Sequence, residues 1–198
     1  MVLRFFLLAV AFFLSCTEVE RDNCYDEKSQ NYNYCYSEVI GTGIKLYDVR
    51  DGRVYDAFDD REIQDGRTLW EIAYMTENLG HNANGSICYN NDETKCRANG
   101  RLYDWETAMT VCPSGWHLPS YEESEKIEFS FGGSIATGRG FSDGSFSDLS
   151  TSYWWTSTEK DANNAYFQYR NVGVNRSHGD LGDKNYNLLS VRCFRDQL

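Results

Sequence analysis

The first clear alternation of apolar and polar residues along the chain predicts a β-hairpin. Residues 44–49 (IKLYDV) alternate with a period of two, as expected for a strand with one buried face. The Asp51-Gly52 pair that follows is typical of a tight turn between antiparallel strands, and the apolar pattern then resumes. We therefore expect the globular domain to comprise residues 44–198 and to begin with this hairpin.

Two helices are predicted in the middle of the chain. Apolar residues recur every three or four positions from Leu102 to Cys112, until Pro113 ends the pattern. The second helix is predicted to begin after Ser120, because Ser120 and Glu123 have the spacing of a capping box. It is expected to run to about residue 131 and to end at the two glycines that follow.

The last part of the chain consists of loops rich in Gly, Ser and Asp that separate short aromatic segments. The segments predicted to be strands are residues 154–156, 165–169, 172–174 and 188–194. Two helices packed on short, mostly antiparallel strands with long loops indicate an α+β fold.

The N-terminus has the pattern of an export signal. Residues 5–14 form an apolar run of ten after the basic Arg4, which is too short to cross a hydrocarbon core of about 30 Å. The run ends at Ser15-Cys16, which resembles the lipobox of bacterial lipoproteins. We expect residues 1–15 to be a signal peptide and Cys16 to carry a lipid anchor. The alternative is an ordinary signal peptide that is cleaved nearby.

The polar residues 16–43, rich in Tyr, Asn and Asp, are expected to be a tether between the anchor and the domain. Of the seven cysteines, lipidation of Cys16 leaves six for disulfides in an oxidising compartment. Sequence alone does not separate their possible connectivities. Proximity along the chain favours the pairs Cys24–Cys35, Cys88–Cys96 and Cys112–Cys193. The residues between Cys88 and Cys96 are expected to form a surface turn.

Composition and charge limit the number of domains and the kinds of partner that the protein can have. A chain of 198 residues with 41% hydrophobic residues has room for one ordinary packed domain. Its 30 acidic and 19 basic residues give a net charge of −11, which argues against a nucleic-acid partner and favours a neutral ligand. No cysteine or histidine spacing typical of a zinc site occurs. We therefore predict no cofactor and no metal.

The candidate ligand-binding residues lie around an adjacent pair of tryptophans. Trp154 and Trp155 fall on one predicted strand, so their rings point to opposite faces and one of them is expected to face outward unless a loop covers it. Asp161, Asn163 and Asn164 follow closely and offer polar groups beside that ring, as sugar and peptide sites do. The alternative is that both rings belong to the core.

Two further roles are considered for polar residues. Glu159 with Asp161 and the neighbouring asparagines could supply oxygen ligands to Ca²⁺, but an acidic loop is usually only solvated. His117 could act as a base, but it precedes a helix start and has no evident nucleophile beside it, so a structural hydrogen bond is predicted. No catalytic residue is assigned.

Six ordered blocks of the sequence resemble a known family. They are Asp51-Gly52-Arg53-Val54-Tyr55, Met75-Thr76-Glu77-Asn78-Leu79, Gly100-Arg101-Leu102-Tyr103-Asp104-Trp105, Cys112-Pro113-Ser114-Gly115-Trp116-His117-Leu118-Pro119-Ser120, Trp154-Trp155-Thr156-Ser157-Thr158-Glu159 and Ser190-Val191-Arg192-Cys193. Over about residues 45–196 the chain is similar to the Fibrobacter succinogenes major paralogous domain, a family of secreted bacterial proteins. The resemblance implies a C-type-lectin-like fold related to that of formylglycine-generating enzymes.

These observations lead to an expected function. The chain is expected to be a non-enzymatic binding or adhesion module in the bacterial envelope, an outer-membrane lipoprotein that faces the periplasm or the cell surface. Its ligand is expected to be a polysaccharide or a protein, and a neutral glycan is favoured. The alternative is an enzyme on a formylglycine-generating-enzyme-like scaffold; those enzymes use two reactive cysteines near the C-terminal part, where this chain has only Cys193.

Overall fold

The computed structural model of the protein describes residues 38–40, 43–64, 67–126, 137–172, 174 and 178–195. The predicted signal peptide, the lipidation of Cys16 and the Cys24–Cys35 bridge lie outside the described residues. Among the described residues, no helix is both long enough and apolar enough to cross a membrane.

The described chain is mostly β-structure with three short helices. The strands are β1 (Glu38–Ile40), β2 (Gly43–Asp48), β3 (Arg53–Gln64), β4 (Arg67–Met75), β5 (Trp116–His117), β6 (Gly140–Phe141), β7 (Thr151–Glu159), β8 (Asn164–Asn171), β9 (His178–Asp183), β10 (Asn187–Leu188) and β11 (Phe194–Arg195). The helices are α1 (Glu93–Asn99), α2 (Trp105–Ala108) and α3 (Tyr121–Lys126), and a 3₁₀ turn spans Tyr89–Asn91.

The strands form three antiparallel sheets. The largest has the order β1-β2-β3-β4-β11-β5, the second joins β7, β8 and β9, and the third pairs β6 with β10. A mixed fold of short antiparallel strands and few helices was predicted and is confirmed.

The predicted hairpin is confirmed. Strands β2 and β3 pair in register, with Leu46 opposite Tyr55, and Gly52 takes the positive φ of 73° that the turn between them requires. Strand β1 pairs with β2 as well, so the last residues of the expected tether belong to the sheet. Strand β4, which no sequence pattern predicted, completes the centre of this sheet.

The first predicted helix is shorter than its pattern indicated, and the second begins where it was predicted. The first predicted helix is confined to α2, where Asp104 caps the N-terminus by accepting a hydrogen bond from the Thr107 N–H at 2.7 Å. The second begins with the predicted capping box: Ser120 Oγ accepts from the Glu123 N–H at 3.1 Å, and Glu123 Oε2 accepts from the Ser120 N–H at 2.8 Å. Its expected end near residue 131 lies outside the described residues.

Helix α1 was not predicted. It begins where Asp92 Oδ1 accepts a hydrogen bond from the Thr94 N–H at 2.8 Å, directly after the 3₁₀ turn. The disulfide between Cys88 and Cys96 connects the start of that turn to this helix, so only part of the segment is the surface turn expected.

Two of the three predicted disulfides lie within the described residues, and both are present. Cys88 is bonded to Cys96, and Cys112 is bonded to Cys193 across 81 positions of the chain. The second bond connects the segment after α2 to the residue before β11. It therefore forms a covalent link between the middle of the domain and its last strand.

Among the strands predicted in the last part of the chain, residues 165–169 lie in β8 as expected. Residues 172 and 174 lie outside the described strands, contrary to the prediction. The predicted strand 188–194 is not continuous, and strand pairing is confined to its two ends, in β10 and β11, and to single bridges at Leu189 and Ser190. Between them, Ser190 forms a parallel bridge with Trp154 of β7, which links the C-terminal segment to the second sheet.

Candidate functional site

Both tryptophans of the predicted binding site are buried. Trp154 is 3% exposed and Trp155 is 1% exposed, so the expectation that one ring faces solvent is wrong and the alternative of a buried pair is confirmed. Trp154 Nε1 donates to Asn78 Oδ1 at 2.8 Å, and Trp155 Nε1 donates to the Tyr103 carbonyl at 2.9 Å. The physical reason is that other parts of the domain cover both faces of β7, so neither ring is available as a platform.

The polar residues predicted beside them hold a turn together. Asp161 Oδ1 accepts hydrogen bonds from the N–H groups of Asn163 and Asn164, each at 2.9 Å, and the Asn164 side-chain amide also donates to this carboxylate. These bonds, led by the one from Asn163, hold the pKa of Asp161 below its usual value. The geometry therefore assigns these residues to the β7–β8 hairpin turn, and Glu159 forms an ion pair with Lys184.

His117 has the structural hydrogen bond that was predicted. Its Nε2 lies 3.1 Å from Glu123 Oε1, within the capping box of α3. Burial opposes ionisation of Glu123, but hydrogen bonds from Ser120 and the nearby histidine hold the pKa of this carboxyl below its usual value. The contact therefore stabilises the start of the helix.

The structure shows a cleft that the sequence did not predict. It has a volume of about 830 Å³, which is within the usual range for small-molecule sites. Its walls come from β3, from the segment that follows β4, from the end of α1 and from the C-terminal segment. The lining residues are Arg53, Val54, Tyr55, Asp56, Thr76, Glu77, Asn78, Arg97, Ala98, Asn99, Gly100, Thr137 and Arg192.

The inner wall of this cleft is organised by Asn78. Its Oδ1 accepts from Trp154 Nε1 at 2.8 Å and from Arg192 Nε at 2.9 Å. Its Nδ2 donates to the Asn99 carbonyl at 2.9 Å and lies 3.3 Å from Ser190 Oγ. Two donors and two acceptors are thus in use, which is the full capacity of an amide side chain. Asn78 is therefore fixed, and it fixes the orientation of Arg192.

Backbone pairing explains why Asn78 and Arg192 meet although 114 positions separate them. The Leu79 N–H donates to the Val191 carbonyl at 2.8 Å, and the Met75 N–H donates to the Cys193 carbonyl at 3.0 Å. The segment after β4 therefore runs beside the C-terminal segment, and the Cys112–Cys193 disulfide holds the end of that segment.

Arg192 is a buried cation at the cleft wall. It is 6% exposed, and its guanidinium lies 4.9 Å from the centre of the Trp154 ring, which is a cation–π contact. Burial removes water from the guanidinium and nearby Arg170 repels it, which lowers the pKa of Arg192 to about 9. The side chain still carries its charge at neutral pH, in a place where that charge is costly.

Two glycines allow the chain to close around the cleft. A Cβ on Gly80 would lie 1.6 Å from Arg53 Nη1, so Gly80 leaves the space that this guanidinium occupies. Gly100 has a φ of 77°, and a Cβ there would lie 2.8 Å from the carbonyl oxygens of Asn78 and Leu79. The close approach of α1 to the Asn78 segment therefore requires glycine at position 100.

A second feature is a row of aromatic rings across the β7–β8–β9 sheet and the adjoining loops. Tyr153, Tyr169 and His178 lie directly opposite one another on the three strands, with ring centroids 6.3 Å and 5.6 Å apart. Tyr186 and Phe141 stack at 5.0 Å beyond them. We call these five rings, together with Arg139, the aromatic row.

Arg139 joins the two halves of the aromatic row. Its guanidinium lies 4.7 Å from the Tyr153 ring centre and 4.9 Å from that of Phe141, and its Nη1 donates to Asn187 Oδ1 at 3.2 Å. Tyr186 is 42% exposed and its hydroxyl donates to Asp143 Oδ2 at 3.1 Å. His178 is also exposed, and the other rings are half-buried. The row is therefore an ordered surface in contact with solvent.

Two groups of potential metal ligands occur within the described residues, and neither has the character of a metal site. Cys88 and Cys96, which lie beside Glu93, are joined in a disulfide. In the second group, which also includes Asp51 and His81, both oxygens of Asp48 accept hydrogen bonds from the Arg50 guanidinium. The ligand atoms are thus engaged by the protein itself.

No protein-family model matches this chain, and no curated protein or solved structure is significantly similar to it. Function is therefore inferred from the residues of the cleft and of the aromatic row.

Proposed function

We propose that this chain is a non-catalytic binding module of an exported envelope protein and that it binds a neutral glycan at the aromatic row. The single observation that carries the proposal is the row itself, in which five rings and Arg139 form one connected, partly exposed surface. Rings held by their neighbours lose little conformational entropy when a ligand binds.

The chemistry of the row favours a sugar over an apolar partner. Aromatic rings contact the C–H faces of a sugar, and polar groups beside them bind its hydroxyls. Asp143 and the tyrosine hydroxyls are the polar groups next to the rings. The net charge of −11 disfavours approach of an anionic polymer, which supports a neutral ligand.

The wider setting of the module is part of the same proposal. We place the chain in the Fibrobacter succinogenes major paralogous domain family, with a C-type-lectin-like fold, on the strength of the six sequence blocks. Export and attachment through a lipid on Cys16 are supported by the N-terminal pattern and by the two disulfides, which form in oxidising compartments.

The anchor is tested by mass spectrometry of the mature protein from a bacterial host. The mature chain is expected to begin at an acylated Cys16, and Cys16→Ala is expected to abolish this processing. An unmodified N-terminus at another position would contradict the anchor.

The ligand surface is tested by measuring neutral glycan binding to the purified full chain and to Tyr186→Ala. The variant is expected to lose about tenfold or more in affinity, because an exposed ring that anchors a ligand is removed, while its melting temperature stays close to that of the wild type. Tyr186→Phe keeps the ring and loses only the hydroxyl bond to Asp143, so it is expected to retain most of the affinity.

The matched control is Phe58→Ala. Phe58 is 37% exposed, similar to Tyr186, but it lies on β3 in the six-stranded sheet, away from the aromatic row. This variant is expected to bind the glycan as the wild type does. Equal loss of affinity in both variants, or none in Tyr186→Ala, would show that the aromatic row is not the ligand surface.

A further inference from the structure

Two asparagines of the chain precede a glycine, and the fold places them in opposite surroundings. The pairs are Asn84-Gly85 and Asn99-Gly100. In this dipeptide the asparagine readily loses its side-chain amide, because glycine has no Cβ to hinder attack by its backbone nitrogen on the neighbouring side chain. The two pairs share the same intrinsic chemistry, so a difference in their reactivity must come from the folded structure.

The Asn84-Gly85 pair lies in an exposed turn between β4 and α1. The Ser86 N–H donates to the Ala83 carbonyl at 3.1 Å and closes this turn, in which Gly85 takes a φ of 87°. Within the part of the chain that the structure describes, neither the Asn84 side-chain amide nor the Gly85 N–H makes a hydrogen bond. The two groups that would react are thus adjacent, open to water and not engaged elsewhere.

The Asn99-Gly100 pair is held by the fold. Asn99 is the last residue of α1, and the Gly100 N–H donates to the Cys96 carbonyl at 3.1 Å. The Asn99 carbonyl accepts a hydrogen bond from Asn78 Nδ2 at 2.9 Å. A Cβ on Gly100 would lie 2.7 Å from the Asn78 Cβ, so the backbone has little room to move. A reaction at this pair therefore requires local opening of the end of the helix.

We propose that Asn84 is a site of spontaneous deamidation and that the fold protects Asn99 from the same reaction. The Gly85 nitrogen loses its proton to base and attacks Asn84 Cγ, which forms the new C–N bond of a succinimide ring. The bond between Cγ and the side-chain nitrogen breaks, and this nitrogen leaves as ammonia. Water then opens the ring at either carbonyl and gives aspartate or isoaspartate. The inference concerns this turn and does not depend on the aromatic row.

The reaction has a structural consequence because the turn packs against the N-terminus of α2. Thr107 Oγ1 donates to the Asn84 carbonyl at 3.5 Å, and a Cβ on Gly85 would lie 3.1 Å from Oδ2 of Asp104, the residue that caps α2. In isoaspartate the backbone runs through the former side chain and is longer by a methylene group, and the former Asn84 carbonyl becomes a carboxylate. A lengthened turn and a new negative charge near Asp104 are expected to loosen the start of α2.

The experiment is a time course in which the purified full chain is incubated at mildly alkaline pH with its disulfides intact. Samples are digested, and the deamidated fraction at each position is measured by peptide mass spectrometry. We expect this fraction to grow at least about tenfold faster at Asn84 than at Asn99, because Asn99 reacts only through local opening. The rate at Asn84 is expected to fall in mildly acidic buffer, since the attack needs a deprotonated backbone nitrogen.

The reduced and denatured chain is the matched control. Without the fold, the two Asn-Gly pairs are expected to deamidate at similar rates. Asn84→Gln lengthens the side chain, which makes ring closure much slower, and it is expected to abolish the change at position 84 while position 99 behaves as in the wild type. Equal rates at the two positions in the folded chain, or no deamidation at Asn84, would overturn the inference.

Hydrogen exchange tests the consequence for α2. The Thr107 N–H donates to Asp104 Oδ1 at 2.7 Å, so its exchange rate reports on the cap. The isoaspartate form, separated by ion exchange, is expected to exchange this proton faster than the unmodified chain does. An unchanged rate would overturn the coupling between the turn and α2.

Discussion

Replacing Trp155 with alanine is expected to lower the free energy of unfolding by about 3–5 kcal/mol. The indole is 1% exposed, packs edge-on against Phe167 with ring centroids 6.2 Å apart, and donates its N–H to the Tyr103 carbonyl. Alanine would leave a large cavity between β7 and its neighbours and would remove this hydrogen bond.

Trp154→Ala is expected to lower the free energy of unfolding by a similar amount, for an additional reason. Its ring supports the Arg192 guanidinium and its N–H bonds to Asn78. Removing the ring would leave a buried cation without its cation–π partner, as well as a cavity. Both variants are therefore expected to be destabilised, although their rings point to opposite faces of β7.

Urea unfolding followed by circular dichroism measures both effects. Phe58→Ala is the control, and it is expected to be much less destabilising because the Phe58 ring is already partly in solvent. If either tryptophan variant kept a melting temperature within a few degrees of the wild type, burial of the pair would be contradicted.

Removing the Cys112–Cys193 disulfide is expected to destabilise the domain by about 4.5 kcal/mol, because the bond closes a loop of 81 positions. Removing Cys88–Cys96, which closes a loop of eight, is expected to cost about 2.5 kcal/mol on the same chain-entropy argument. The longer loop loses more conformational entropy in the unfolded chain when its ends are joined.

Two double variants are compared by urea unfolding. One replaces Cys112 and Cys193 with alanine, and the other replaces Cys88 and Cys96. The first pair is expected to have the lower transition midpoint. Equal midpoints for the two paired variants would contradict the loop-length argument.

Local signals were sufficient for some of the fold. The β2–β3 hairpin was predictable because alternation and an Asp-Gly turn lie within a dozen residues, and the α3 capping box because its two residues are three positions apart. Helix α1 was missed because Asn90 and Asn91 precede it. Both adopt positive φ, as asparagine in a turn can. Asparagines of this kind indicate a turn, so Asp92 was not recognised as the cap of a helix.

The candidate sites were not predictable from local patterns. A strand pattern shows that Trp154 and Trp155 point to opposite faces, but it does not show that other parts of the domain cover both of them. Asn78 and Arg192 of the cleft are far apart in sequence and meet through the pairing of the C-terminal segment with the segment after β4. Eight of the thirteen residues that line the cleft, Asn78 and Arg192 among them, do lie in blocks on which the family resemblance rests.

The aromatic row offered a partial signal. Tyr153 and Tyr169 lie two positions from the buried Trp155 and Phe167 on their strands, which places all four on one face. Phe141 comes from the short strand β6 and Tyr186 from the turn before β10, and no periodic pattern relates them to β7 and β8. The part of the row that lies on β7 and β8 was therefore open to prediction, but the part formed by Phe141 and Tyr186 was not.

The neutral glycan is proposed to bind at the aromatic row and away from the tryptophan pair. A titration of the full chain with the glycan, followed by NMR at individual aromatic and indole resonances, tests this placement. We expect shifts at the rings of Tyr153, Tyr169, His178 and Tyr186, with the Trp154 and Trp155 indole N–H signals unchanged. Shifts at the two indoles with none at the row would contradict it.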